Sequence, residues 1–234
     1  GRRAARPARA TADMNGALEI SWLGRIGFAE ALARQDELVQ KKRSDPKAAD
    51  ELWLLEHSPV YTIGRTPDQT SLRGSRHLPH PLFEINRGGQ ATYHGPGQLV
   101  GYFLLDLRRY GQDMHRYLRW IEALLIELLA PYEIGATTRA GLTGVWIEDR
   151  KIASIGVGVR HWITMHGFAL NVRGDLAAFD QITPCGIENV TMTSIEKETG
   201  AAPTLDEIAR QTAALACARL AELVKYSTSE SVVI

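Results

Sequence analysis

The chain has only two cysteines among its 234 residues, Cys185 and Cys217. That is too few for a disulfide framework, and both are expected as thiols in a reducing compartment. It also has no net charge, with 27 Lys and Arg against 27 Asp and Glu. No global field therefore draws it to nucleic acid or an anionic membrane, and neither is expected as a partner. No run of 18 apolar residues occurs, so no transmembrane helix is expected. A G-x-x-x-x-G-K-[ST] loop is missing, as is any close Cys/His/Asp/Glu spacing of the kind that ligates zinc or iron. A P-loop nucleotide site, a metal and a bound cofactor are accordingly not expected.

A hydrophobic content of 44% and a charged content of 23% are those of an ordinary soluble globular chain. Arg2, Arg3, Arg6 and Arg9 precede the first acidic residue, Asp13. An Arg-rich, acid-poor start is the mark of an organelle transit peptide or of a disordered extension, and residues 1–14 are read as the extension. Residues 15–234 are expected to form a single domain, with a small C-terminal subdomain after about residue 190 as the weaker alternative. The expected location is the cytoplasm, or the mitochondrion if the start is a transit peptide.

Hydrophobic spacing predicts a helix over Phe28–Lys42, with Phe28, Leu32, Gln35 and Val39 near one face, and a second short helix after the Ser44-Asp45-Pro46 interruption. Strands are predicted at 51–56, 61–63, 99–107 and 162–172, and residues 66–81 read as a mobile loop. Asp113 is a plausible N-cap for a helix reaching Leu129, where Pro131 stops it, with Tyr117, Ile121, Leu124 and Leu128 as the apolar stripe. Residues 145–147 and 152–159 flank an Asp149-Arg150 turn and form a hairpin. Thr204 and Glu207 make a capping box opening a helix to about Tyr226. Intermixed helices and strands with an antiparallel hairpin, and without a βαβ glycine fingerprint, point to an α+β fold with a mixed sheet.

The most informative stretch is Arg87-Gly-Gly-Gln-Ala-Thr-Tyr-His94-Gly-Pro-Gly-Gln-Leu-Val-Gly101. Glycine permits positive φ and close backbone approach at an entropic cost. Arg87, Gln90, Thr92, Tyr93 and His94 add hydrogen-bonding groups, so the segment reads as a substrate-binding loop.

Cys185 lies between Pro184 and Gly186, a loop setting that presents a thiol to a pocket, although a lone cysteine is often only a packing residue. Cys217, within an alanine-rich helix, is assigned to packing. A free thiol is only about 3% ionised at neutral pH, so a nucleophilic Cys185 needs a nearby cation. Lys151 opens the second hairpin strand, where composition alone suggests a solvated turn lysine. Ser154, Gly156 and Gly158 leave one face of that strand bare, either as room for a ligand or as a tightly packed sheet. Strict alternation puts Lys151 on the opposite face with Ile155 and Val157, unless a strand-end irregularity reverses it. His94 and His166 read equally as pocket-lining or structural.

The loop at 87–101, Lys151-Ile-Ala-Ser-Ile-Gly156, His166-Gly-Phe-Ala-Leu-Asn171 and Pro184-Cys185-Gly186 occur in the order found in the lipoyl/octanoyl transferases, and the chain resembles that family over about residues 50–195. The resemblance implies a biotin/lipoate protein ligase-like catalytic domain related to class II aminoacyl-tRNA synthetase cores. It implies acyl transfer from octanoyl-acyl carrier protein to a lysine of lipoyl domains, those of 2-oxoacid dehydrogenase E2 subunits and the glycine cleavage H protein. On this resemblance Cys185 carries the acyl group as a thioester and Lys151 is its acid/base partner. Acyl binding falls to Arg87, Gly88, Gly89, Gln90, Ala91, Thr92, Tyr93 and His94, to Ser154, Ile155 and Gly156, and to Gly167, Phe168 and Ala169. An ATP-dependent lipoate ligase and a lipoyl-domain amidotransferase are the alternatives.

Overall fold

A computed structural model of the chain describes residues 18–65, 68–73, 78–187 and 190–225. The expectation for residues 1–14 and part of that for 66–81 lie outside the described residues. In chain order the elements are β1 (Leu18–Ile26), α1 (Phe28–Ser44), β2 (Asp50–His57), β3 (Val60–Gly64), β4 (Leu82–Ile85), β5 (Thr92–His94) and β6 (Gln98–Leu104). There follow α2 (Met114–Leu129), β7 (Thr137–Arg139), β8 (Leu142–Ile147), β9 (Arg150–Arg160), β10 (Ile163–Asn171), β11 (Thr191–Met192), α3 (Ile195–Thr199), α4 (Leu205–Arg219) and α5 (Glu222–Lys225).

Seven strands form the main sheet in the order β1-β2-β6-β10-β9-β8-β7, with β11 pairing β9 off this path, and β4-β3-β5 make a second small sheet. β1 runs parallel to β2 and β11 parallel to β9, while the other main-sheet pairs are antiparallel. The sheet is mixed, as expected.

Alternation along β2, β6 and β10 divides the core between the two faces of the sheet. Leu52, Leu54, Leu99, Phe103, Phe168 and Leu170 point to the face covered by α2 and α4. Trp53, Leu55, Val100, Tyr102, Leu104 and Ala169 point to the other, where Ala31 and Leu38 of α1 join them. The small sheet covers that same side beside α1, through Phe28, Val60 and Ile85. This second face, half helix and half loop-bearing sheet, is where the molecule keeps open space.

Local signals act as read at several ends. The Asp113 carboxylate accepts the Arg116 N–H, and the Thr204–Glu207 capping box is complete. Other boundaries differ. No second helix follows Ser44: Asp45 Oδ1 accepts the Lys47 N–H at 2.9 Å, an Asx-type turn, and the chain enters β2 three residues later. The hairpin turn is Glu148-Asp149, with Glu148 at φ 54, one residue earlier than expected. α4 stops at Arg219 rather than near Tyr226: a side chain of α2 takes its last carbonyl, and the separate short helix α5 follows. Trp120 Nε1 donates to Arg219 O at 3.0 Å, and Arg116 donates to the carbonyl of Glu222. Tyr226 itself lies outside the described residues.

Candidate functional site

A cavity of about 240 Å³ lies between the main sheet and the small sheet with its loop. Its floor is Ser154, Ile155 and Gly156 of β9 and Gly167, Phe168 and Ala169 of β10. Its wall is Arg87, Gly89, Gln90, Thr92 and His94, and Lys151 and Cys185 both open onto it. Three elements distant in sequence thus converge on one space.

Gly88, Ala91 and Tyr93, expected at the same site, do not line it. The Gly88 N–H donates to Val157 O at 3.0 Å, and the Ala91 carbonyl accepts the Cys185 N–H at 2.8 Å. Tyr93 packs with Tyr61 and Phe179 in a separate apolar cluster. These three hold the loop in place. Arg87 also braces it: its guanidinium donates to Thr62 O at 3.0 Å, to Gln90 O at 2.9 Å and to Gly88 O at 2.9 Å.

The bare face of β9 is used in two ways. Ser154 and Gly156 border the cavity, whereas a Cβ on Gly158 would lie 2.3 Å from the carbonyl oxygen of Asn86, because the loop backbone lies directly on it. At Gly158 the missing side chain serves packing and not ligand space.

Lys151 is not a solvated turn residue; it is 1% exposed. Pairing of β8 with β9 runs Val145 to Ala153 and then Trp146 to Lys151, so β9 carries one extra residue there. Such a bulge interrupts alternation. Ile152 and Ala153 both join the core under α2 and α4, and Lys151 is turned to the same side as Ser154. The irregularity at the strand end thus reverses what strict alternation gives.

Lys151 Nζ is 3.2 Å from Cys185 Sγ, and Ser154 Oγ is 3.7 Å from the same sulfur. Burial by itself would push the Cys185 thiol up. The Lys151 ammonium, the hydrogen bonds from Lys151 and Ser154 and the charge of Arg87 outweigh it and hold the thiol below its ordinary value. Cys185 has φ 57 and ψ 17, a left-handed conformation uncommon outside glycine. Its N–H is tied to Ala91 O, so the loop wall and the sulfur are set by the same contact. Strain of this kind is typical of functional positions. A half-buried thiol beside a buried lysine amine has the geometry of a nucleophile paired with a proton acceptor.

Behind the cavity sits a cluster of neutral histidines. His57 Nδ1 donates to Ile26 O at 2.9 Å, so its Nε2 accepts the Tyr102 hydroxyl at 2.7 Å. His94 Nδ1 donates to Gln98 Oε1 at 2.8 Å, and Gln98 Nε2 continues to Asn171 Oδ1 at 2.9 Å. Desolvation, with nearby positive groups adding to it, lowers His94 and His166 to about 3 each. Both histidines line the cavity, yet each is held uncharged.

Sequence reading missed Phe28, Ile85, Tyr102, Gly141, Leu142, Thr143 and Ile187, which complete the lining. Tyr102 had a weak signal, as one hydroxyl in an otherwise apolar strand. Gly144 and Trp146, which lie against Lys151, had none, and neither did Glu122, which holds the Gly144 N–H. Among the described residues no group of three potential metal ligands occurs, and no helix is long and apolar enough to cross a membrane.

Comparison with known proteins follows the same lines. The family profile of the lipoyl protein ligase A/B catalytic domain matches residues 28–215. The chain is 50% identical over 186 residues to an octanoyltransferase of Citrifermentans bemidjiense, an alignment covering 80% of this chain and 89% of that protein. Its fold is similar to that of the bipartite lipoate protein ligase of Thermoplasma acidophilum, solved in a study of that ligase and its E2 lipoyl domain. The TM-score is 0.63 at 18% identity, covering 91% of this chain and 85% of that one. Apo biotin protein ligase from Aquifex aeolicus is similar in fold at TM-score 0.52 and 11% identity, over 89% of this chain and 71% of that one.

Proposed function

The chain belongs to the lipoyl protein ligase A/B catalytic family and, with its octanoyltransferase relatives, is an acyltransferase of protein lipoylation; from that premise we propose that it carries the octanoyl group on Cys185, taking it from octanoyl-acyl carrier protein and giving it to a lysine of a lipoyl domain. The observation that carries this reading is the contact between the buried Lys151 Nζ and the half-buried Cys185 Sγ at 3.2 Å on the cavity wall.

In the first step the Cys185 thiolate attacks the carbonyl of the incoming pantetheine thioester. The C–S bond to pantetheine breaks, and the departing thiolate takes a proton from the Lys151 ammonium. Octanoyl is now bonded to Cys185 Sγ, and Lys151 is a neutral amine. In the second step the acceptor lysine amine attacks this thioester and gives up a proton to Lys151. The C–S bond breaks, and Cys185 leaves as thiolate beside the restored ammonium. Protons and charges balance over the cycle, and the pair titrates as a unit.

The acyl chain meets Phe28, Ile85, Leu142 and Ile187 together with the glycine-bared floor. Burial of about six methylenes is worth up to roughly 5 kcal/mol, enough to discriminate chain length. The thiol chemistry requires a reduced cysteine, which fits a reducing compartment such as the cytoplasm.

The test is intact-protein mass spectrometry after mixing with octanoyl-acyl carrier protein, with Cys185→Ala alongside. One hydroxylamine-labile octanoyl adduct, absent from the variant, supports the thioester route. No adduct on either protein overturns it, and transfer that then depends on ATP and free lipoate would indicate a ligase.

A further inference from the structure

Among the described residues no carboxylate lies within 4.0 Å of the Lys151 ammonium. Its partners are the Cys185 sulfur at 3.2 Å and the Trp146 ring, whose centroid is 5.1 Å from Nζ. Trp146 is fully buried, and its indole Nε1 has no hydrogen-bond partner. An unpaired buried N–H carries a desolvation cost that phenylalanine would avoid. What indole offers in return is the strongest π face for a cation.

We propose that Trp146 is a positioning residue that holds Lys151 against Cys185 and favours the lysine's protonated form. The idea rests on the thioester reading for its place in the cycle, because acylation is what neutralises the sulfur. While Cys185 is a thiolate, the ammonium has an opposite charge beside it. In the acyl-enzyme the sulfur is neutral and Lys151 is the free amine; as it takes the acceptor's proton, before the C–S bond releases the thiolate, the quadrupole of Trp146 is the attraction at hand. The ring thereby sets how readily the buried amine holds the proton it takes from the acceptor in the second step.

The other charged groups around the pair do not replace it. Glu122 of α2 is committed to Arg119 at 2.6 Å and to the Gly144 N–H at 3.0 Å. Arg87, from the loop, acts electrostatically on Cys185 and is itself a cation. Arg139 of β7 has its guanidinium carbon 5.0 Å from the same indole centroid and carries the same sign as Lys151. Any of these cations opposes protonation of Lys151.

The test needs no acyl donor, so it stands apart from failure of the thioester reading. In a Cys217→Ala background, Cys185 is capped as a neutral methyl disulfide, and the Lys151 15Nζ resonance is titrated by NMR. Trp146 is replaced site-specifically by mono-, di- and trifluorotryptophan, which keep its shape while draining its π face. Capping is expected to lower the midpoint, and each fluorine to lower it further by roughly a few tenths of a pH unit. Trp146→Phe should lie between tryptophan and Trp146→Leu, which provides the series if fluorotryptophan protein is not obtained. A midpoint in the capped protein that ignores fluorination, or Phe and Leu variants with the same midpoint, would overturn the proposal and leave Trp146 as packing.

Discussion

Lys151 and Cys185 are 34 positions apart in the chain, and their reactive atoms are 3.2 Å apart in the fold. A bulge in β9 turns the lysine inward, and a left-handed backbone conformation presents the sulfur. The thiol is held below its ordinary value chiefly against desolvation and chiefly by Lys151.

Lys151→Met removes that cation and keeps the stem. With burial then unopposed by its main partner, the thiol should titrate at higher pH than in the wild type. The rate of Cys185 alkylation by iodoacetamide, followed against pH, is expected to fall about tenfold or more at neutral pH, because only the thiolate reacts. An unchanged profile would remove Lys151 from the dyad.

Gly144 is the position on which the lysine stem rests. Its φ of 125° suits glycine, and a Cβ there would lie 2.6 Å from Lys151 Cε and 2.7 Å from Ala153 O. Its N–H is held by the buried carboxylate of Glu122. Gly144→Ala is therefore expected to cost about 1–3 kcal/mol of stability and to reduce acyl transfer more than the lost stability explains. Urea denaturation and single-turnover thioester formation measure the two effects separately.

His94 and His166 give the protein an acid limit. Both fold with values lowered to about 3, against about 6.5 when unfolded. Between those values the unfolded chain binds more protons than the native one, so stability is full above about pH 6.5 and is lost as pH falls towards 3. Each histidine contributes a slope of about 1.4 kcal/mol per pH unit in that window. Urea midpoints measured from pH 7 to pH 4 should fall steadily. In His94→Gln the slope should be shallower, and an identical slope would show that His94 does not contribute.

Asp50 is the polar hub beneath α1. Its carboxylate accepts Lys42 Nζ at 2.8 Å, the Tyr110 hydroxyl at 2.7 Å and the Asp106 N–H at 2.9 Å, with Arg109 at 3.3 Å. Removing one partner of a buried pair strands the other. Asp50→Ala is expected to cost about 3–5 kcal/mol in urea unfolding, with the Lys42→Met, Asp50→Ala double variant recovering part of the loss.

Local chemistry was legible in the sequence by itself. The Asp113 and Thr204 caps, the stripe of Tyr117, Ile121, Leu124 and Leu128, and the hairpin of β8 and β9 depend on residues within a few positions of one another. Four ordered motifs also brought out the family, and they singled out Lys151 and Cys185, which the fold brings to 3.2 Å. Tertiary structure decided the rest, because it depends on contacts between distant segments. Whether Lys151 faces Cys185 is settled by one extra residue in the register of β9 against β8, a difference that periodicity along a single strand cannot express. The carbonyl at the end of α4 is taken by Trp120 of another helix. The Asn86 backbone lying on Gly158 makes that position packing and leaves the open space to Ser154 and Gly156. Trp146, with no motif to mark it, stands beside the ammonium only because β8 and β9 are paired as they are.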